Sequence, residues 1–237
     1  MTKLVQGKVV AVIPSLNTAN TIQEIVSEAK KHVNQVIVID DGSHDSTAEM
    51  ARAAGALVKS HLINKGYGEA VKSCFKVAEE SDADVLVVLD GDGQHKPEEI
   101  SYLVTPILQG EADLIIGSRF LGNGVKIPRY RRFGINVITS LFNFGSRTKV
   151  TDSQSGFRAY HRNIFETIHL SEKGMSVSIE TLEKARRKGA VIKEVPVSCL
   201  YDSQTLNLKA INHGLSVALS VIRLRLKNLL LGNGRGK

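Results

Sequence analysis

The chain has 237 residues, 42% of them apolar and 23% charged, a composition that supports a full core in one domain or one domain with an appendage and argues against global disorder. The formal net charge of +7 indicates an anionic partner. Because no recognisable nucleic-acid module occurs and only 5% of the residues are aromatic, we expect no nucleic-acid partner.

The first part of the chain alternates between short apolar runs and amphipathic segments. The apolar runs predict strands at residues 8–13, 35–39, 56–59, 85–89 and 113–116. The amphipathic segments predict helices at residues 22–32 and 69–80, one after a cap at 45–46, and one beginning at Pro97. This alternation predicts an α/β fold in which helices cover both faces of a mostly parallel sheet.

The pattern changes after residue 117. We predict, in order, a basic loop at 118–128, a helix at 131–144, a polar turn-like segment at 151–157, a helix at 176–188 and a strand at 191–197. Between residues 212 and 231, polar side chains follow one helical stripe and apolar side chains fill most of the rest. Such an amphipathic helix suits a membrane interface, while docking on the core or on a second subunit of a homo-oligomer stays open.

Two features bear on the compartment in which the protein works. Cys74 and Cys199 lie far apart without metal-type spacing, which predicts a reducing compartment and no disulfide framework. The N-terminus lacks a secretory pattern, and no uncharged apolar stretch of about 18 residues occurs. With the amphipathic helix, these features lead us to expect a cytoplasmic protein, peripheral on the cytoplasmic face of a membrane.

A carboxylate pair follows the most apolar of the predicted strands. Five apolar residues starting at Val85 run into Asp90 and Asp92, which a single glycine separates. Open α/β sheets place their ligands at the carboxyl ends of such strands. Mg²⁺ is typically held by one or two carboxylates plus substrate phosphates, so both side chains could reach one cation. The alternative is an Asp-rich turn that caps the next helix.

Polar groups follow three other predicted strands as well. They are the segments PSLN at 14–17, DDGS at 40–43 and GSR at 117–119. Carboxylates at one strand end can bind a nucleobase or ribose, those at the next can hold a metal on a diphosphate, and Arg119 could offset phosphate charge. Neither G-x-G-x-x-G nor G-x-x-x-x-G-K-[ST] occurs, so we predict a nucleotide site without a phosphate-cradling glycine loop.

Six strings in the chain carry a family resemblance. They are VIPSLNTANTI, VIVIDDGSHDSTAEMA, NKGYGEAV, VLVVLDGDGQHKP, DLIIGSRF and DSQSGFRAY. Together they resemble family 2 glycosyltransferases of the GT-A fold, in the branch of dolichyl-phosphate mannose synthases and dolichyl-phosphate glucosyltransferases. The resemblance covers about residues 8–200. It implies a catalytic domain at 1–205, followed by an amphipathic helix and basic tail at 206–237.

The resemblance implies a role for each matching position. The implied nucleotide-binding residues are Pro14, Asn17, Asp40, Asp41, Lys65 and Asp90. The residues implied to hold Mg²⁺ or Mn²⁺ are Asp90, Asp92 and Gln94, and the implied catalytic residues are Asp92 and Arg119. Ser155 and Arg158 match the region near the acceptor phosphate, with turn capping as the alternative for Asp152 and Ser155. His95 is interpreted as a residue that orients its loop.

The distribution of charge along the chain indicates the class of acceptor. An alcohol acceptor needs a general base, whereas a lipid phosphate is already an anion and needs only cations to position it. Between Arg119 and Lys149 there are seven Lys and Arg residues and no acidic residue. The candidate contacts to an acceptor phosphate in this stretch are Arg129, Arg131, Arg132 and Arg147. A solvated basic face is the alternative.

We therefore expect an inverting, metal-dependent transferase that moves a hexose or N-acetylhexosamine from a nucleotide sugar to dolichyl or another polyprenyl phosphate. Residues 199–207 lack the arginine of the mannose-synthase pattern, so UDP-linked and GDP-linked donors both stay open. Two other functions also stay open. One is transfer to a polysaccharide or protein acceptor, and the other is non-catalytic binding of a nucleotide sugar or a lipid.

Overall fold

The computed structural model describes residues 7–122, 127–146 and 148–201. Its strands are β1 (Val9–Ser15), β2 (Gln35–Asp40), β3 (Leu57–Ser60), β4 (Val85–Val88), β5 (Leu114–Ser118), β6 (Arg158–His161) and β7 (Ile192–Pro196). Its helices are α1 (Ile22–Ala29), α2 (Thr47–Ala53), α3 (Tyr67–Glu80), α4 (Ile100–Leu108), α5 (Arg129–Asn143), α6 (Arg162–Thr167) and α7 (Ser176–Arg187).

The strands form one sheet in the order β3-β2-β1-β4-β6-β5-β7. All neighbouring pairs are parallel except those of β6, which runs antiparallel to both β4 and β5. Every residue of β1, β4 and β5 is buried, as expected for strands covered on both faces. The predicted mostly parallel sheet is confirmed.

Helices cover both faces of the sheet, as predicted. One hydrophobic cluster packs α1, α2 and α4 against the sheet, and the other packs α3, α5, α6 and α7 against the opposite face. In α1 the buried residues are Ile22, Ile25, Val26 and Ala29, the i, i+3, i+4, i+7 stripe of an amphipathic helix.

The sheet order indicates where a ligand crevice lies. From β1 the chain proceeds to β2 and β3 on one side of β1 and then crosses to β4 on the other side. In open α/β sheets such a switch leaves a ligand crevice outside the carboxyl ends of the two central strands. Here those ends are Ser15 and the Asp90–Asp92 turn. They meet so closely that a Cβ on Gly91 would lie 2.3 Å from Ser15 Oγ.

Several predicted bounds were wrong. The first helix ends at Ala29 instead of residue 32, and a 3₁₀ turn at Pro97–Glu99 precedes α4. Neither β6 nor α6 was predicted, because each has only four to six residues and lacks an apolar run.

Three predictions lie outside the described residues: the amphipathic segment 212–231, the 206–237 unit and Arg147. Among the helices of the described residues, none is long and apolar enough to cross a membrane.

Candidate active site

The loops after β1 and β2 are hydrogen-bonded to one another at the edge of the crevice. The Asn17 N–H donates to Ser43 Oγ at 2.9 Å, and Asn17 Oδ1 accepts from the His44 N–H at 2.9 Å. Asp40 Oδ1 accepts from the Ser43 N–H at 3.0 Å. Pro14 lies opposite Ile39 in the β1–β2 register. The structure thus brings Pro14, Asn17 and Asp40 together, and their contact with a nucleotide stays a prediction.

Asp41 anchors the loop that follows β3. Its buried carboxylate accepts from the N–H groups of Lys65 and Gly66 at 3.0 and 2.8 Å, and Asp41 Oδ1 lies 2.6 Å from His61 Nδ1. His61 Nε2 lies 2.9 Å from Ser73 Oγ on α3. Both Asp41 oxygens are therefore engaged by protein groups, while the Lys65 side chain is exposed. His61 and Ser73 were not singled out from the sequence, where nothing local marks them.

Asp90 has the most unusual environment at the crevice. Desolvation and the nearby charge of Asp92 raise the pKa of Asp90 to about 7, although a hydrogen bond from Tyr67 opposes the shift. Asp90 Oδ1 is buried without a hydrogen-bond partner among the described residues. A Cβ on Gly156 would lie 2.3 Å from Asp90 Oδ2, so only glycine leaves room for this carboxylate.

The turn after Asp90 is held by its own backbone and by the segment after β7. Asp92 Oδ1 accepts from the Gln94 N–H at 3.0 Å, and the Gln94 carbonyl accepts from the Leu200 N–H at 2.8 Å. His95 is buried against the Phe157 ring, with centroids 5.2 Å apart. Desolvation and the charge of Arg119 lower the pKa of His95 to about 4. A neutral, packed imidazole agrees with a role in orienting the loop.

Arg119 enters the site as one half of a bidentate ion pair. Its Nε lies 2.6 Å from Asp152 Oδ2 and its Nη2 lies 2.8 Å from Asp152 Oδ1. Arg119 Nη1 donates to the Tyr201 hydroxyl at 2.9 Å. Asp152 therefore has two roles, because its carboxylate pairs with a residue 33 positions away and its Oδ1 also accepts from the Gln154 N–H at 3.2 Å, which caps the turn. Contact between Arg119 and a donor phosphate stays a prediction.

The predicted acceptor residues fall into two groups. Ser155 is fully buried and its Oγ accepts from the Phe157 N–H at 3.3 Å. Arg158 is 2% exposed and donates to the carbonyls of Ser153 and Ser178, each at 2.8 Å. Neither side chain reaches solvent in this conformation, and contact of either with an acceptor stays a prediction.

Arg129 and Arg131, by contrast, are exposed on the first turns of α5. The guanidinium of Arg131 stacks over the Tyr201 ring, 5.5 Å from its centroid. Desolvation raises the pKa of Asp92, whereas the Gln94 amide and then Arg131 lower it. The structure therefore brings Arg131 to the crevice, and Tyr201, which the sequence did not indicate, links Arg131 to Arg119.

The carboxylates at the crevice could contribute to a site for a divalent cation. No group of three or more His, Cys, Asp or Glu side chains that suits a metal occurs in the described ranges. Asp90 and Asp92 nevertheless fit an ion such as Mg²⁺, which takes one or two carboxylates and completes its shell with substrate phosphates. The unpartnered oxygen of Asp90 and the mutual repulsion of the two carboxylates are what such an ion would relieve.

Comparisons with known proteins agree on fold and family. A model of glycosyl transferase family 2 matches residues 10–169. The chain is 28% identical over 220 residues to UDP-N-acetylglucosamine–dolichyl-phosphate N-acetylglucosaminyltransferase of Methanococcus voltae, across 82% of this chain and 86% of that protein. It is 31% identical over 204 residues to polyprenol monophosphomannose synthase of Mycolicibacterium smegmatis, across 81% and 77% of the two chains.

A solved structure shares the fold. It is glucosyl-3-phosphoglycerate synthase from Mycobacterium tuberculosis in complex with Mn²⁺, UDP-glucose and phosphoglyceric acid, which superimposes with a TM-score of 0.71 at 22% identity. The match covers 92% of this chain and 79% of that one. This likeness bears on the fold alone, and it confirms the predicted GT-A architecture.

The stability of the protein without a metal should depend on pH, because Asp90 has a raised pKa. Its native pKa of about 7 lies above the usual value of about 3.9, so between these values the native carboxyl group binds more protons than the unfolded one. The free energy of unfolding therefore falls as the pH rises through this window. Asp90→Asn removes the effect, so in EDTA the melting temperature of the variant minus that of the wild type should increase from pH 5 to pH 8.

Calorimetry at four pH values in this range measures the difference. Glu79→Gln, which neutralises an exposed carboxylate on α3, is the control and should follow the wild type. Parallel melting curves for Asp90→Asn and the wild type would show that Asp90 ionises without penalty.

We expect substitution of Arg158 to lower the free energy of unfolding, whatever its effect on acceptor binding. In Arg158→Lys one ammonium replaces the planar guanidinium that reaches the carbonyls of both Ser153 and Ser178. We expect urea unfolding to show a loss of about 2–4 kcal/mol, because a buried carbonyl loses its charged donor. The exposed Arg129→Lys should unfold like the wild type. Unchanged stability of Arg158→Lys with weakened acceptor binding would instead assign Arg158 to the acceptor.

Proposed function

The chain belongs to glycosyl transferase family 2, and we propose that it transfers a hexose or N-acetylhexosamine from a nucleoside diphosphate sugar to a polyprenyl phosphate, with inversion and with Mg²⁺ or Mn²⁺. One observation carries the proposal. The carboxylate pair Asp90 and Asp92 and the basic helix α5 meet at one crevice, through Arg131. The named activities of the two relatives support the acceptor class.

The donor side of the crevice is the acid-rich side. The loops that carry Asn17 and Asp40 are positioned to receive the nucleoside, since they form the rim beside the crevice. Asp90 and Asp92 would hold the divalent ion, with the side chain of Gln94 on the same turn. When bound, this ion neutralises the charge that develops on the departing nucleoside diphosphate.

The acceptor side is the basic side. A phosphate monoester is already anionic, so the chain needs no general base and instead needs cations that hold the acceptor in line. Arg129 and Arg131 are exposed on α5 and can make charge-assisted hydrogen bonds to such a phosphate. The Arg119–Asp152 pair holds the turn before β6, in which Gly156 lies against Asp90.

The outer face of α5 supports a lipid acceptor. Phe133 is 72% exposed, Phe144 directly after the helix is 80% exposed, and Val137 lies between them. Arg129 and Arg132 are exposed on the same helix, which has no acidic residue. Exposed aromatic groups beside arginines suit the interface of an anionic membrane. We propose on this basis that the protein binds a membrane peripherally, and we keep the expectation that it does so on the cytoplasmic face.

A donor panel tests the proposed reaction. The protein is incubated with dolichyl phosphate, Mn²⁺ and radiolabelled UDP-glucose, UDP-N-acetylglucosamine or GDP-mannose in turn. We expect organic-extractable label with one of the donors and none in EDTA. Label that stays in the aqueous product would point to a polysaccharide or protein acceptor, and the absence of product with every donor would contradict the proposal.

Asp92→Asn should lower the transfer rate by at least about 100-fold, because loss of an electrostatic contact to the developing charge typically has an effect of this size. The rate is measured at saturating donor with the donor that the panel identifies. Glu79→Gln, which lies on the exposed face of α3, should retain the wild-type rate. A near-wild-type rate for Asp92→Asn would mean that the metal site is elsewhere.

Membrane binding should depend on α5. We expect Phe133→Ser combined with Phe144→Ser to lower partition onto phosphatidylcholine–phosphatidylglycerol vesicles by at least about tenfold, since a buried Phe contributes about 1.5–3 kcal/mol. Flotation of the full chain measures the partition. Leu62→Ser combined with Ile63→Ser is the matched control, because these residues are 100% and 69% exposed after β3. Equal losses in both double variants would contradict a specific role for α5.

A further inference from the structure

We propose that Tyr67 is a positioning residue for the divalent cation, because its hydroxyl holds the Asp90 carboxyl group so that one Asp90 oxygen stays free for the ion. The inference rests on the proposed metal-dependent transfer and adds to it a residue outside the Asp90–Gln94 turn. Tyr67 is the first residue of α3, which packs on the face of the sheet behind the crevice.

The two oxygens of the Asp90 carboxyl group have different surroundings. Tyr67 donates a hydrogen bond to it, whereas Oδ1 is buried without a partner among the described residues. A Cβ on Gly156 would lie 2.3 Å from Asp90 Oδ2 and 3.2 Å from the Tyr67 hydroxyl. Gly156 therefore leaves the space in which phenol and carboxylate meet. Because burying a carboxylate oxygen without a bonding partner is unfavourable, Asp90 Oδ1 is well suited to bind a cation.

The position of Tyr67 is fixed by groups other than Asp90. Gly66, directly before it, has φ +87°, a left-handed conformation that favours glycine, and its N–H donates to Asp41 Oδ2 at 2.8 Å. On the other side, a Cβ on Gly68 would lie 2.8 Å from the Gly174 N atom, so the first turn of α3 packs tightly on that loop. Tyr67 is thus held from the end of β2 and can orient Asp90 at the end of β4.

The closing experiment measures Mn²⁺ binding by electron paramagnetic resonance, with UDP and, separately, GDP present. Groups that orient a metal-ligating carboxylate typically contribute 10–100-fold to metal affinity. We therefore expect Tyr67→Phe to raise the Mn²⁺ dissociation constant by about 10–100-fold and to change the spectrum of the bound ion. Nucleotide affinity in EDTA should match that of the wild type, which shows that the crevice is intact.

Tyr160→Phe is the matched control. Tyr160 is a buried tyrosine, whereas Tyr67 is partly buried; it packs edge-on against Phe75, and its hydroxyl bonds to Arg158. The Mn²⁺ affinity of Tyr160→Phe should stay within about twofold of that of the wild type. This change is much smaller than the one expected for a residue that orients a metal ligand. Three results would overturn the role of Tyr67. They are a wild-type Mn²⁺ affinity in Tyr67→Phe, the same loss of Mn²⁺ affinity in Tyr67→Phe and Tyr160→Phe, and a loss of nucleotide affinity in EDTA as large as the loss of Mn²⁺ affinity. A wild-type protein that binds no Mn²⁺ with either nucleotide would overturn the proposed metal dependence as well.

Discussion

The buried Asp90 Oδ1, which has no hydrogen-bond partner among the described residues, is the constraint on which the site depends. A buried acceptor without a partner costs about 1–3 kcal/mol, and a second carboxylate at Asp92 adds repulsion. The neighbouring residues accommodate this carboxylate without neutralising it, since Gly156 leaves it space and Tyr67 binds only part of it. A divalent cation would relieve both penalties, so the metal-free site stores free energy that binding releases.

The reversed direction of β6 explains how distant parts of the chain meet at this carboxylate. Because β6 is antiparallel to β4, its first residue, Arg158, lies opposite Val88 at the carboxyl end of β4. The turn before β6 therefore lies at the ligand edge of the sheet, where Gly156 contacts Asp90 and Asp152 pairs with Arg119. A parallel β6 would place the same turn at the opposite edge. The burial of Arg158 then secures the start of β6 through the carbonyls of Ser153 and Ser178.

Much of the sheet could be predicted because buried parallel strands are continuous apolar runs, as β1, β2 and β4 are. The four-residue β6 lacks such a run, and its pairing is decided by partners far along the chain. The Asp90–Asp92 pair could be located because only one glycine separates its residues. The Arg119–Asp152 ion pair, the His61–Asp41 contact and the links made by Tyr67 and Tyr201 join separate loops, and no local spacing reveals them.

Anomalous diffraction at the manganese edge tests the central claim most directly, that Asp90 and Asp92 hold a divalent ion against the donor diphosphate. Crystals are grown with Mn²⁺ and either UDP or GDP. We predict one strong peak in the crevice between the ends of β1 and β4, within about 2.3 Å of an Asp90 oxygen and next to the diphosphate. The claim would be contradicted if a diphosphate bound in the crevice without manganese at Asp90 or Asp92. It would also be contradicted if the only manganese peaks lay at other places on the protein.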